Sequence, residues 1–297
     1  MDKKVSVIVN FHNGDRYLYD CIKSILNQSY NNLEIILWDN FSSDNSFKII
    51  KKFNDHRIKY FFNKIKEPLY KARNQAILAS TGDLIAFLDS DDWWEDNYIS
   101  SRAKLFSDEN YHYYYCNTKI FYEKTKKNRT YKNYTLPDGK IFDSLSRDYF
   151  IIISGVIFKR EIFAKFGMFN EIFNIIGDYD FIMKISKSCN AHVINSPMIN
   201  YRIHKNNFSK LHSKMFYEEY KIWFEENYRN KKNQEFLKNI NFFKDKLSYL
   251  EISHLLLNSE KNYSLLKKIS KHSIILEKVK FLILFLVPIK FFKFFKK

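Results

Sequence analysis

The sequence predicts an α/β protein in which a mostly parallel central sheet is flanked by helices and followed by a basic helical tail. Three observations carry that expectation. Short apolar runs alternate with segments of helical period through the first third of the chain, the pattern of stacked βαβ units. Apolar residues make up 45% of 297 residues, enough for a substantial core. The first four apolar runs also end where Asn or Asp begins.

The elements follow in order. "VSVIV" (5–9) reads as a buried strand, and the segment 16–28 places Leu18, Ile22, Ile25 and Leu26 on one helical face. "EIILW" (34–38) is the second strand; the cap-rich loop "DNFSSDNS" leads from it into a helix ending near Phe53. "IKYFF" (58–62), "YKARNQAILAS" (70–80) and "LIAFL" (84–88) read as strand, helix and strand. Farther on, "YHYYYC" (111–116) and "YFIIISGVIF" (149–158) return to the sheet, with a mobile polar loop expected over 124–139. Phe181, Ile182 and Ile185 mark a helix over 178–189, and "AHVINSPMINYRIH" (191–204) is a last extended piece. The expected organisation is one α/β domain over 1–229 and a Lys-rich helical tail over 230–297.

Composition narrows the function. Three cysteines, Cys21, Cys116 and Cys189, are odd in number and lack metal-ligand spacing, as in a reducing compartment. The first apolar run is too short for a secretory signal, so a cytoplasmic start is expected. The formal charge of +16 is unevenly spread: beyond residue 230, 15 lysines against five acids leave +10. The apolar run 281–289 is shorter than the roughly 20 residues that span a bilayer. Phenylalanines interleaved with Lys290, Lys293, Lys296 and Lys297 suit an anionic membrane surface, so a peripheral position on the inner face of the cell membrane is expected. A C-terminal helix packed on the domain, with its lysines in water, is the alternative.

Ligands of open α/β sheets bind outside the carboxyl ends of the strands. Asn10 to Asn13, Asp39 and Asp89 to Asp92 would gather there. "FLDSDDWWED" (87–96) is the densest cluster: Asp89, Asp91, Asp92 and Glu95 repel one another unless something positive compensates them. Alternation along an extended chain puts Asp89 and Asp91 on one side, where they can share a hard divalent cation that keeps positions open for phosphate oxygens. An acidic turn capping the next helix is the plainer reading of such a triplet taken alone.

Four stretches in order, "VSVIVNFHNGDRYLYDCIKSILNQSYNNLEIILWDNFSSDNS", "ARNQAILASTGDLIAFLDSDDWW", "GDYDFIMKI" and "YRIHKNNFSK", resemble the family 2 glycosyltransferases of bacterial surface-glycan type, over about residues 4 to 208. The resemblance implies a GT-A fold and transfer of a sugar from a nucleotide diphosphate, expected to be a UDP-sugar, to a glycan or glycolipid acceptor. It implies that Asp39 hydrogen-bonds the nucleotide base, that His12 falls where an aromatic ring stacks on that base, and that Arg73 lies near base and phosphates. Asp89 matches the ribose contact, Asp91 the ligand of Mn2+ or Mg2+, His204 a histidine that joins metal or diphosphate, and Asp178 the catalytic base. Asn10 replaces a usual proline, Phe41 stands where glycine is common, Gly177 stands where glutamate often precedes the base, and no glycine precedes Ala72-Arg73-Asn74.

Those residue types suit the chemistry. An inverting transfer needs a carboxylate to accept the acceptor hydroxyl's proton and positive charge to stabilise the departing diphosphate on the opposite side. A sugar nucleotidyltransferase shares the acidic metal ligands, but needs a Gly-rich basic loop where "NFHNGDRY" has one glycine. A nucleic-acid-binding protein would explain the charge, yet the sheet rim is acidic and the lysines sit with phenylalanines, so no nucleic-acid partner is expected.

Overall fold

The computed structural model describes residues 2–257 and 263–286. Its chain divides into two compact units, Met1–Lys205 and Asn206–Lys297. This division and the expected boundary at 229/230 differ by one long helix.

The first unit opens with β1 (Val5–Phe11), α1 (Leu18–Leu26), β2 (Leu33–Asp39), α2 (Ser46–Ile50), β3 (Ile58–Phe62), α3 (Leu69–Ala79) and β4 (Leu84–Phe87). These strands run parallel in the order β3-β2-β1-β4. Both faces are covered, which is why their sequences are nearly continuous apolar runs. Val5, Val7, Val9 and Phe11 face one side, packing with Leu18, Cys21, Ile22 and Ile25 of α1. The buried residues of α1 recur at the three- and four-residue steps of one helical face.

The second half is β5 (Trp93–Trp94), β6 (Tyr113–Tyr122), β7 (Lys127–Thr130), α4 (Phe142–Arg147), β8 (Val156–Lys159), α5 (Glu161–Phe166), α6 (Gly177–Ile185) and β9 (Ala191–Ile203). It extends the sheet beyond β4 in the order β8-β6-β9-β5, with β7 on β6. Here β8 is antiparallel to both β4 and β6, and β9 is parallel to β6, so the sheet is parallel in its first half and mixed in its second.

Two local expectations are corrected. The segment 124–139 is not simply a loop: a tight turn, with Lys126 at φ 55°, folds β7 back onto the outer end of β6. β7 is polar and lies at an edge, so it lacks the apolar alternation that marks a strand. The second helix stops at Ile50, short of Phe53.

The second unit contains α7 (Phe208–Leu211), α8 (Ser213–Arg229), α9 (Gln234–Lys238), α10 (Ile240–Leu257), α11 (Tyr263–Lys271) and α12 (Ile275–Leu286). Trp223, Phe236 and Phe243 form one aromatic knot, and Ile252, Leu256, Leu265, Ile269 and Phe281 a second apolar cluster. Among the described residues no helix is long and apolar enough to cross a membrane. The interleaved Phe and Lys residues from 290 onward lie outside the described residues.

Candidate active site

The order β3-β2-β1-β4 makes the gap between β1 and β4 a topological switch point, where the chain leaves β1 in opposite directions and a crevice opens at the strand ends. The loop after β1 meets the loop after β4 there: a side chain at Gly14 would lie 3.6 Å from Ser90 Oγ.

Every carboxylate of the acidic loop has its own compensation. Arg73 Nη2 on α3 donates to Asp89 Oδ1 at 2.5 Å. His204 Nε2 lies 2.8 Å from Asp91 Oδ2. Asp92 accepts from the Arg202 backbone N–H at 2.9 Å and from Ser154 Oγ at 2.8 Å. Glu95 accepts from Asn200 Nδ2 at 3.0 Å and pairs with Lys119 Nζ at 3.1 Å. Residues 200, 202 and 204 alternate along one face at the end of β9, so a single strand edge clamps the loop. The Arg202 guanidinium completes that clamp. It donates to the Asp91 carbonyl at 2.8 Å and lies between the rings of Tyr17 and Trp93, 4.6 and 4.5 Å away.

Three of these carboxyls are perturbed: burial would raise Glu95, but hydrogen bonds from Asn200 and Lys119 bring it below its ordinary value, while the other two rise. Burial pushes Asp92 well above the usual carboxylate range, and the charges of Asp91 and Asp89 push it further. Burial also raises Asp89 and Arg73 opposes it, with the charges of Asp91 and Asp178 adding to the rise. Asp89 therefore lies within electrostatic reach of both the loop and α6.

Asp178 opens α6, and its Oδ1 accepts from the Tyr70 hydroxyl at 2.7 Å. Tyr70 is buried on α3, one helical turn before Arg73, whose guanidinium carbon lies 5.2 Å from its ring. Asp89 and Asp178 are thus connected through two neighbouring residues of one helix.

Asp39 ends β2 and is only 1% exposed. Its Oδ1 accepts from Ser42 N–H at 2.8 Å and its Oδ2 from the Tyr60 hydroxyl at 2.9 Å, leaving one lone pair on each oxygen for a further donor. Asp44, rather than Asp39, accepts from the Ser46 N–H at the start of α2. His12 is exposed, with Nδ1 3.1 Å from the Asn40 carbonyl. Phe41, where glycine is common, has φ 68°, a left-handed backbone that L side chains rarely adopt.

The structure therefore brings Arg73 to Asp89 and Asp91 to His204, and places His12 beside the end of β2 next to Asp39. It links Asp178 to this group through Tyr70. Sequence reasoning missed Tyr70, Ser154 and Arg202. Alternation from His204 would have found Arg202; no local signal marks Tyr70 or Ser154, whose roles come from tertiary contacts.

The signature of glycosyl transferase family 2 matches residues 6–169. Over 211 residues the chain is 30% identical to Escherichia coli WfgD, a UDP-Glc:alpha-D-GlcNAc-diphosphoundecaprenol beta-1,3-glucosyltransferase, covering 70% of this chain and 80% of WfgD. It is 39% identical over 106 residues to glycosyltransferase GlyA of Streptococcus pneumoniae, covering 35% of this chain and only 15% of GlyA. Among solved structures, S. aureus TarS in complex with UDP-GlcNAc superposes with TM-score 0.61 at 17% identity, covering 85% of this chain and 72% of that one. The Pyrobaculum calidifontis mannosyltransferase PcManGT, in complex with GDP-Man and Mn2+, superposes with TM-score 0.62 at 15% identity, covering 84% and 72%. Both share the GT-A fold, and the family signature runs through β1, β2, β4 and the acidic loop. The chain belongs to glycosyl transferase family 2.

Proposed function

We propose that this protein is an inverting, metal-dependent glycosyltransferase. It takes one sugar from a nucleotide diphosphate, a UDP-sugar, to a lipid-linked glycan in the synthesis of a cell-surface polysaccharide or lipooligosaccharide. The observation that carries this reading is the placement of the Asp89–Asp91 pair after β4 with Asp178 at the start of α6, joined through Arg73 and Tyr70. The UDP-sugar donor and diphosphate-linked lipid acceptor in the name of WfgD support the substrate class.

The residues present fit a divalent ion. Asp91 Oδ2 and His204 Nε2 offer an oxygen and a nitrogen side by side, a donor pair that suits manganese. With two ligands from the protein, the ion would take its remaining ligands from diphosphate and water. When bound there, the ion would stabilise charge on the leaving diphosphate.

The chain's own residues do the rest. Asp39 offers its remaining lone pairs to a base N–H, and His12 offers a ring face. Arg73 holds Asp89 in one rotamer for the ribose hydroxyls. Asp178, already hydrogen-bonded on one oxygen, accepts the acceptor hydroxyl's proton as that oxygen attacks the anomeric carbon.

A membrane-surface role for the tail draws support from α12. Ile275, Val279 and Ile283 are 73%, 50% and 49% exposed at four-residue steps, with Lys278 and Lys280 on the same helix. That amphipathic pattern suits the headgroup region at the cytoplasmic face. Thermal unfolding against a panel of nucleotide-sugars, with and without Mn2+, tests the reading. A stabilisation that requires both a UDP-sugar and the ion is expected, and indifference to every donor would overturn it.

A further inference from the structure

Position 177 is glycine for a reason unrelated to backbone conformation. Gly177 is not among the glycines at positive φ, and it sits in the first turn of a helix, where other residues are tolerated. Space is what it provides. A Cβ there would lie 2.5 to 2.6 Å from three ring carbons of Tyr70, closer than non-bonded carbon atoms approach. The ring is fixed from other sides as well: Tyr70 is 1% exposed, packs on Phe169 with centroids 5.4 Å apart, and has Arg73 over its face.

We propose that Tyr70 is a positioning residue for Asp178, and that glycine at 177 lets its ring lie against the start of α6 so that its hydroxyl holds the carboxylate. This rests on the reading of Asp178 as the base. The hydroxyl lies 2.7 Å from Asp178 Oδ1 and 3.2 Å from the Ile175 carbonyl. Its one proton goes to the nearer, charged acceptor. Burial first, then the Asp178 charge, push the phenol well above its ordinary range, so it remains a donor at any working pH.

The geometry divides the work between the two carboxylate oxygens. Oδ1 is anchored, which sets the χ angles of Asp178 and leaves Oδ2 to receive a proton. The other titratable groups that interact with Asp178 are Arg73, Asp89 and Tyr149, with Asp180 on its own helix. The hydrogen bond to the Asp178 side chain comes from Tyr70. The departure at Gly177 and the tyrosine before Ala72-Arg73-Asn74 are, on this view, one change: a large side chain arrives from α3, and the helix opposite gives up its own.

The test uses the full-length chain with manganese and whichever nucleotide-sugar most raises its melting temperature, read as release of nucleoside diphosphate. Tyr70→Phe keeps the ring and removes the donor. Its kcat should fall by about tenfold or more, the range of one hydrogen bond to a charged group, with donor KM and donor-induced stabilisation unchanged. The acid limb of its kcat/KM profile should move to higher pH, because the ionised carboxylate has lost a donor. Asp178→Asn is the benchmark, with donor binding kept and turnover lost. If Tyr70→Phe shows wild-type kcat and pH profile while Asp178→Asn is inactive, the positioning role is wrong and the base reading survives. If Asp178→Asn turns over normally, both fail.

The steric half has its own readout, independent of catalysis. Gly177→Ala should lower the melting temperature in the wild-type background and have little effect in a Tyr70→Ser background, where the ring is gone. An equal loss in both backgrounds would show that the ring does not exclude the side chain.

Discussion

Asp91 Oδ2 and His204 Nε2 lie 2.8 Å apart although 113 residues separate them. The contact exists because β9 runs parallel to β6 and returns its outer end to the acidic loop after β4. Asp91 is 26% exposed and His204 only 7%, so the pair presents the carboxylate to the crevice with the imidazole behind it. On the proposed reading, the pair would share a cation between an oxygen and a nitrogen donor.

Asp91→Asn and His204→Ala should both reduce metal-dependent turnover, but unequally. Asp91→Asn removes the anionic ligand and should lower kcat/KM by about a hundredfold or more, in the range of losing one electrostatic stabiliser of a leaving group. His204→Ala should raise the manganese concentration needed for half-maximal activity, with a smaller effect at saturating metal. Chelation should abolish turnover in the wild type, and added Mn2+ should restore it; activity that persists in excess chelator would remove the metal from the mechanism.

Asp178→Asn should separate binding from chemistry. Asp178 is held by Tyr70 and is read as the base and not as a donor ligand, so donor-induced stabilisation should survive while turnover drops by about 10²- to 10⁴-fold, the range for losing a general base. Calorimetric titration with the donor and initial-rate assays on the same preparation check both halves.

Arg202 has the opposite profile, because its contacts lie within the fold. Its guanidinium lies between Tyr17 and Trp93, and its backbone N–H holds the buried Asp92. Arg202→Ala should cost about 2–4 kcal/mol by removing a cation stacked between two rings together with its hydrogen bond to the Asp91 carbonyl. Arg202→Lys should recover little of it, since an ammonium neither stacks as a plane nor donates as a fork. Urea unfolding of the two variants measures the difference.

The first, second and fourth strands were legible because parallel strands buried on both faces are nearly continuous apolar runs, as Val5 to Val9 is but for Ser6 and Leu84 to Phe87 is throughout; β3, partly exposed at the sheet edge, showed as an aromatic run. Pairing direction beyond β4 was not, since the antiparallel contact of β8 with β4 leaves no trace in the periodicity of "VIFK". The carboxylates of the crevice stood out because four like charges at a strand end demand compensation. The groups that compensate them come from α3, β6, the segment before β8 and the end of β9 with the residue after it, and only Arg73 and His204 were marked in advance. Tyr70 looked like one more aromatic residue in an aromatic-rich chain; its meaning depends on the bare backbone at Gly177, more than a hundred residues later. Phe41 is the reverse case, where a backbone at φ 68° explains why glycine is common at a position that the sequence shows only as a departure.

Glu34 predicts the acid stability of the first unit. It is 2% exposed in β2, yet it accepts from Ser6 Oγ at 2.7 Å, Thr81 N–H at 2.6 Å and Gly82 N–H at 3.1 Å, and pairs with Lys59 at 2.7 Å and Lys4 at 3.2 Å. Burial alone would raise its carboxyl, but Lys59, Ser6 and Thr81 more than reverse this and hold it far below the usual range. The folded form is thus the weaker proton binder, so unfolding takes up a proton at low pH. The stabilisation from Glu34 is full above about pH 4.3, the ordinary value for a glutamate, and fades as pH falls below that toward the depressed folded value. Glu34→Gln should lower stability at neutral pH by about 2–3 kcal/mol, as expected for losing charge-assisted bonds at a buried acceptor. It should also flatten the decline of stability below pH 4. Urea midpoints at pH 7 and pH 3.5 for both proteins check the sign, because the gap between them should narrow at the lower pH. A gap that widens on acidification would mean that Glu34 is protonated in the folded state.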